Sequence, residues 1–412
     1  MGGTSATIAG RLGAAGRRWL SVALSAWIAT AALADPGTPD PPPHPARWET
    51  LDGPRVPIAG AAGVSLERGP ALVGGFTDRL EATAAIQVRD PRHGWMPVGS
   101  ALVQPRAEAT AIPLADGTVL VIGGWDGRLP DDVRHLGSAE RLDPWNPAIR
   151  RPIPPPFADR GDAGLEGHAA CGLADGRVLV VHRRQGTIFD PATDDWSPPF
   201  RLTTDRRHAT LVAMPSTSSG EIDVVIIGGG RRADDPAIET IRIAADGTAI
   251  AEAWPTTTVP AALGRAAALA VGREIVVAGG ELLGRSVSTT WRLDPAARTA
   301  ESGPDLPIPD GVADGRLART GARLVLLGGE SIVEGRPVPV ANGAVLHPRL
   351  DRLWALPAGP VAAVRSTVLA TEGRGPEIVG GYRFDRSAPR GARTRVLGDD
   401  VRLRLPSLLI DD

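Results

Sequence analysis

Residues 106–124 read RAEATAIPLADGTVLVIGG. A run of small residues, the pair Asp116-Gly117 and an apolar, β-branched run closing on Gly123-Gly124 follow one another. Asp-Gly between two such runs is a strong hairpin signal, because its two residues adopt the left-handed backbone that matches strand twist. The stretch therefore reads as two antiparallel strands, the second ending in a di-glycine.

Working outward, the same ending recurs as ALVGG to Gly75, VVIIGG to Gly229, IVVAGG to Gly280, LVLLGG to Gly329 and EIVGG to Gly381. Adjacent copies lie about 50 residues apart, with one gap of about twice that, and a fixed period of this size marks a repeat architecture. The double gap holds VLVVHR at 178–183, a degenerate copy in which His182-Arg183 replaces the glycines. Seven units result; a six-bladed ring carrying the third unit as an insertion is the other count. After each ending comes a variable polar stretch and a third strand that often ends in Asp-Pro and is followed by Trp. Asp90-Pro91 with Trp95 and Asp190-Pro191 with Trp196 show this, and His347-Pro348 with Trp354 is a looser copy. Each unit thus holds four strands.

This pattern resembles the kelch repeat over nearly the whole span from Trp48 to Leu405. The resemblance implies an all-β propeller with one four-stranded blade per unit, and a domain of residues 47–412. Closed rings leave no strand edge open to association. The last unit has EIVGG and then a third strand at 401–405 but no fourth, while Arg47-Trp48-Glu49-Thr50-Leu51 looks like an orphan fourth strand. The N-terminal strand is expected to complete the last blade.

Arg11, Arg17 and Arg18, an apolar run at 19–33 and Ala32-Leu33-Ala34 form the charged, apolar and small-x-small parts of a secretory signal peptide. Residues 1–34 are read as that leader, the alternative being an uncleaved anchor, and 35–46 as a Pro-rich spacer. No Cys sits at the cleavage point, so a secreted or periplasmic protein is expected, with no membrane attachment after cleavage. The formal net charge of −2 gives no basic field for nucleic acid. All 45 basic residues are Arg, which excludes Schiff-base and P-loop lysine chemistry, and Cys171 alone cannot form an internal disulfide. A monomer is expected.

Up-and-down strand order puts the loops between second and third strands, and those between blades, on one face around the channel. The candidate ligand-binding residues there are Arg106, Trp125, Arg183, Arg207, Arg231, Arg265, Glu281, Glu330 and Tyr382. An Arg-rich ring could receive carboxylates, phosphates or acidic sugars through bidentate bonds, although Arg at loop edges also follows simply from its replacing Lys throughout. No metal and no cofactor are expected; were a metal held, His168, His182 and His208 are the residues that would ligate it.

Galactose-oxidase-like copper enzymes of similar repeat need a Tyr cross-linked to Cys and a second Tyr, and this chain has only Tyr382. Exported sialic-acid mutarotases are similar in repeat and act on an acidic sugar with Arg and acidic residues. The expectation is a binding or scaffold module for a protein or carbohydrate partner, with a mutarotase- or epimerase-like enzyme as the alternative.

Overall fold

The computed structural model describes residues 46–157, 164–215, 220–256, 258–360, 362–371, 374–384 and 394–405. The expected leader and all of the Pro-rich spacer except Ala46 lie outside them. Among the described residues there is no helix, and hence none long and apolar enough to cross a membrane.

Seven four-stranded antiparallel sheets follow one another as blades, at 62–101, 110–153, 169–206, 210–253, 267–302, 316–355 and 367–404. The seventh is completed by Arg47–Leu51, which pairs antiparallel with Asp400–Arg404 from Arg47↔Arg404 to Leu51↔Asp400. The degenerate third unit is a full blade: its strand Val178–Asp190 pairs with Ala169–Gly172 through its first residues and with Asp195–Trp196 and Phe200–Arg206 through its later ones.

Burial is partial in the innermost strands, such as Thr110–Pro113, and greatest in the second strands, and the sequence follows it. Second strands such as Val119–Ile122 and Arg323–Leu327 are buried along their whole length. Both faces of such a strand meet a neighbouring blade, so apart from Arg323 the run is apolar throughout rather than alternating. Each Val, Leu or Ile so buried contributes roughly 1.5–3 kcal/mol. Fourth strands such as Thr299–Ser302 are largely exposed and polar.

The Asp of each Asp-Pro pair makes the turn between third and fourth strands. Asp90 accepts from the amides of Arg92 and His93, Asp190 from Ala192, and Asp294 from Ala296 and Ala297. These are Asx turns, in which a short carboxylate substitutes for a backbone acceptor. The tryptophans join blades: Trp95 Nε1 donates to Asp400 of blade seven at 2.9 Å, Trp196 Nε1 to the Pro154 carbonyl at 2.7 Å, and Trp48 Nε1 to the Pro357 carbonyl at 3.0 Å.

The di-glycine is demanded by the next blade. In blade one the Gly75 amide donates to the carbonyl of Arg106, and a Cβ on Gly74 would sit 2.1 Å from that same oxygen. The join repeats as Gly229 to Leu263, Gly280 to Val312 and Gly381 to Ile58. Both glycines also hold positive φ, which a side chain would strain.

Candidate functional site: the channel mouth

The innermost feature of the structure is a collar. Each blade enters its first strand through one residue with positive φ: Gly60, Glu108, Gly167, His208, Arg265, Asp314 and Arg365. The amide of this residue donates to the carbonyl of its counterpart in the preceding blade: Glu108 to Gly60, His208 to Gly167, Arg265 to His208 and Asp314 to Arg265. Gly60 donates to Arg365 at 2.9 Å, joining the first blade to the last. Two residues further on, every first strand carries Ala or Thr except blade six, which carries Arg316. Small residues suit strands crowded about an axis. Arg316 is exposed there, yet desolvation lowers its pKa with no carboxylate to offset it. A side chain that is wetted and still ringed by protein is one inside the channel.

A second ring lies above the collar. In five blades the residue after the di-glycine bridges the residue before the collar position, as Ala59↔Phe76, Ala107↔Trp125, Gly264↔Glu281, Ala313↔Glu330 and Val364↔Tyr382. In blades two, five, six and seven these residues begin small hairpins, for instance Glu330–Val333 with Arg336–Pro339, which rise from the face.

The two rings meet at Arg265. Its Nε donates to Asp314 at 2.8 Å, one terminal nitrogen to Glu281 at 2.7 Å, and the other to Glu330 at 2.5 Å and also to Asp314. Burial works against its charge, but these three carboxylates raise its pKa further than burial lowers it. Arg365 is placed differently: its guanidinium lies 3.4 Å from Glu108, 3.5 Å from Glu330 and 3.6 Å from Asp314, contacts of ion-pair range rather than hydrogen bonds. Glu330 is nearly buried, and its Oε2 accepts no hydrogen bond from the described residues. Tyr382 stands half-buried beside them, its ring 5.7 Å from Phe76 and its phenol pushed up by burial. His208 is held below its usual pKa by burial and then by Arg265, so it is neutral at pH 7. Four carboxylates against two guanidiniums make the mouth acidic, apart from Arg316 below.

Of the residues singled out from sequence, Arg265, Glu281, Glu330 and Tyr382 come together here. Arg106 does not. It is 2% exposed, with Glu140 at 2.9 Å and the Gly123 carbonyl at 2.8 Å. Blade four repeats this clip with Arg206 on Glu239 at 2.7 Å and on the Gly228 carbonyl. Trp125 is buried against Phe76, at 5.8 Å, and presents no stacking face. Arg207 reaches Glu166 at 3.5 Å, one residue short of the collar. Arg183 and Arg231 lie off the axis, in a cleft between blades three and four. His182 packs on Phe157 at 6.2 Å, and His168 Nδ1 lies 2.7 Å from the Leu165 carbonyl. Burial, reinforced by His208, lowers the His168 pKa. No three His, Cys, Asp or Glu side chains among the described residues are grouped to hold a metal.

Glu108 and Asp314 were not among the sequence candidates, because the arginines ahead of the first strands, Arg106 and Arg265 among them, do not share one register. In six of the blades the collar position is followed by a small residue, Ala109 after Glu108 and Gly315 after Asp314 among them.

No family model matches the chain, and no curated protein does. Among solved structures it is similar to a novel fungal alcohol oxidase of the AA5 family in complex with copper, with a TM-score of 0.61 and 14% identity over 89% of this chain and 77% of that one. It is also similar to YjhT, with a TM-score of 0.52 and 13% identity over 74% of this chain and 99% of that one. These are likenesses of fold, and the fold is a seven-bladed β-propeller. The residues present do not fit a copper site like that of the oxidases: the one Tyr, Tyr382, is in blade seven, and the one Cys, Cys171, is in the first strand of blade three with its thiol pushed up to about 12 by burial.

Proposed function

We propose that this protein is an exported binding module that takes its partner on the collar face, and that the partner offers hydroxyl groups, as a carbohydrate does. The observation that carries this reading is Arg365. Its neighbour Arg265 has its donors spent on three carboxylates, whereas Arg365 keeps donors uncommitted beside the half-buried phenol of Tyr382. A sugar ring at the mouth would accept from Arg365 and Tyr382 and donate its hydroxyls to Glu108, Glu281 and Asp314. The acidic balance favours neutral over acidic sugars, since each additional carboxylate would meet four already present. A protein segment rich in Ser, Thr or Lys is the other partner with this chemistry. The leader at 1–34 supports export.

A second reading is favoured by Glu330. A nearly buried carboxylate with one oxygen unbonded, 3.5 Å from a guanidinium, has the makings of a general acid or base for ring opening of a sugar.

The test is calorimetric titration of the protein with neutral and acidic mono- and oligosaccharides, repeated with Arg365→Ala and Tyr382→Phe. Binding of a neutral sugar that both variants weaken supports the module; a sugar bound equally by both variants sinks the mouth as its site. NMR exchange between anomers, with Glu330→Gln as control, separates the enzyme from the binder.

A further inference from the structure

The third blade is the one whose sequence departs from the repeat, and the departure builds something. Arg183 occupies the place of the second glycine and holds φ +53 without glycine's freedom. Here the strand does not end: Arg183 pairs with Arg206, and Gln185 with Arg201. Among the described residues, blades three and four lack the bridge that the other five make and the hairpin that four of those five carry, so the face is less covered between them.

Two clefts lie in that opening, about 440 and 540 Å³ in volume, and they share Arg184 and Asp205. Each is of the size that takes a small ligand or one to two sugar rings. Arg183, Arg184, Arg201, Arg231 and Arg232 line the pair, all exposed. None of the five forms an ion pair with a described carboxylate, unlike Arg106, Arg206, Arg265 and Arg365 on the same face. The carboxylate of Asp235 is spent on its own turn, accepting from the amides of Arg231 and Arg232 and from Thr204. Asp205 differs: its Oδ1 is buried at the cleft and accepts no hydrogen bond from the described residues.

We propose that this trough is a second binding site, distinct from the mouth, for an anionic oligosaccharide bearing carboxylate or sulfate groups. Five guanidiniums without an ion-pair partner among the described residues, of which Arg184 donates to the Thr203 carbonyl at 3.3 Å, stand over two carboxylates and give a local surplus of positive charge in a chain of net charge −2. Guanidinium forks match carboxylate and sulfate in bidentate geometry. Asp205 selects among polyanions. Its unsatisfied acceptor needs a donor, which a sugar hydroxyl supplies and a polyphosphate chain, acceptor at every position, does not. The proposal does not rest on the reading of the mouth.

The experiment titrates the full chain with hexagalacturonate, with a sulfated heparin hexasaccharide and with polyphosphate of matched charge, at fixed ionic strength. Hexagalacturonate or the heparin fragment is expected to bind, the tighter of the two naming the anionic group, and polyphosphate to bind at least tenfold more weakly. Replacing Arg184 and Arg231 together by Ala should weaken glycan binding tenfold or more with an unchanged melting temperature, because both side chains are exposed. Asp205→Asn should narrow the gap between glycan and polyphosphate. Arg365→Ala should leave all of this unchanged, which separates failure here from failure at the mouth. Absence of binding by either glycan, equal binding of polyphosphate, or full glycan affinity in the double variant overturns the proposal.

Discussion

The amide of Gly60 donates to the carbonyl of Arg365, and this contact closes the collar between the first blade and the seventh. The side chains at the mouth therefore hang from backbone that the ring itself holds in register. Their geometry depends on closure, and closure depends on the pairing of Arg47–Leu51 with Asp400–Arg404 at the rim of the same blade.

Deleting residues 47–51 is accordingly expected to destabilise the whole propeller. The deletion bares the edge of a strand whose Val401 and Leu403 are fully buried, and removes the Trp48 link to blade six. The expected loss is about 3–5 kcal/mol, the range for truncating a packed Trp, read as one shifted unfolding transition by calorimetry. A deletion protein that melts with the intact one would mean that the ring closes by other contacts.

Asp400 gives the protein a pH signature. It is wholly buried; desolvation raises its pKa to about 6 and Glu377 adds to this, while Trp95 and Arg89 pull the other way. An acid whose folded pKa exceeds its unfolded value of about 4 binds more protons when folded. Its contribution to stability is thus full below pH 4 and is lost as pH rises through 6, by on the order of 3 kcal/mol. Urea midpoints at pH 4 and pH 7 should reveal this as a pH-dependent gap between the native protein and Asp400→Asn, with the variant gaining relative to native at pH 7. A gap independent of pH would place the Asp400 pKa at its ordinary value.

Arg106→Ala separates structure from recognition. The guanidinium is the partner of a buried Glu140, and stranding that carboxylate should cost about 3–5 kcal/mol. Chemical denaturation measures the loss. Sugar affinity at the mouth, measured under folding conditions, should stay within twofold of native.

Arg183→Gly is expected to do the reverse. Relieving a left-handed residue should stabilise the fold by about 1 kcal/mol, while removing one guanidinium from the trough lowers its affinity for anionic glycans. Thermal melting and titration on the same sample check both signs at once. A variant no more stable than native would show that Arg183 is held without strain.

Much of this was legible in the sequence, for physical reasons that differ between features. The di-glycines were visible because a neighbouring carbonyl lies 1.9–2.4 Å from where a Cβ on Gly74, Gly228, Gly279 or Gly380 would be, which leaves no other residue. The Asp-Pro pairs were visible because an Asx turn tolerates few alternatives. Arg106 and Arg265 look alike in sequence, each just ahead of a first strand, yet a two-residue difference in register puts one in a buried clip and the other on the collar. Nothing local reports that offset. Arg183 and Arg231 were singled out in the sequence, but not their gathering beside Arg184, Arg201 and Arg232 around two adjoining clefts, which accompanies the continuation of the blade-three strand where the others stop.

The pairing that closes the ring also sets a schedule. Residues 47–51 are made early, but the ladder they form among the described residues is with residues 400–404, so through most of synthesis the array stands open with an edge at each side. Contacts of such long sequence separation form slowly, and open edges invite mispairing meanwhile. Refolding from denaturant should show blades gaining β structure first, and a slower, final phase in which the first strand is seated.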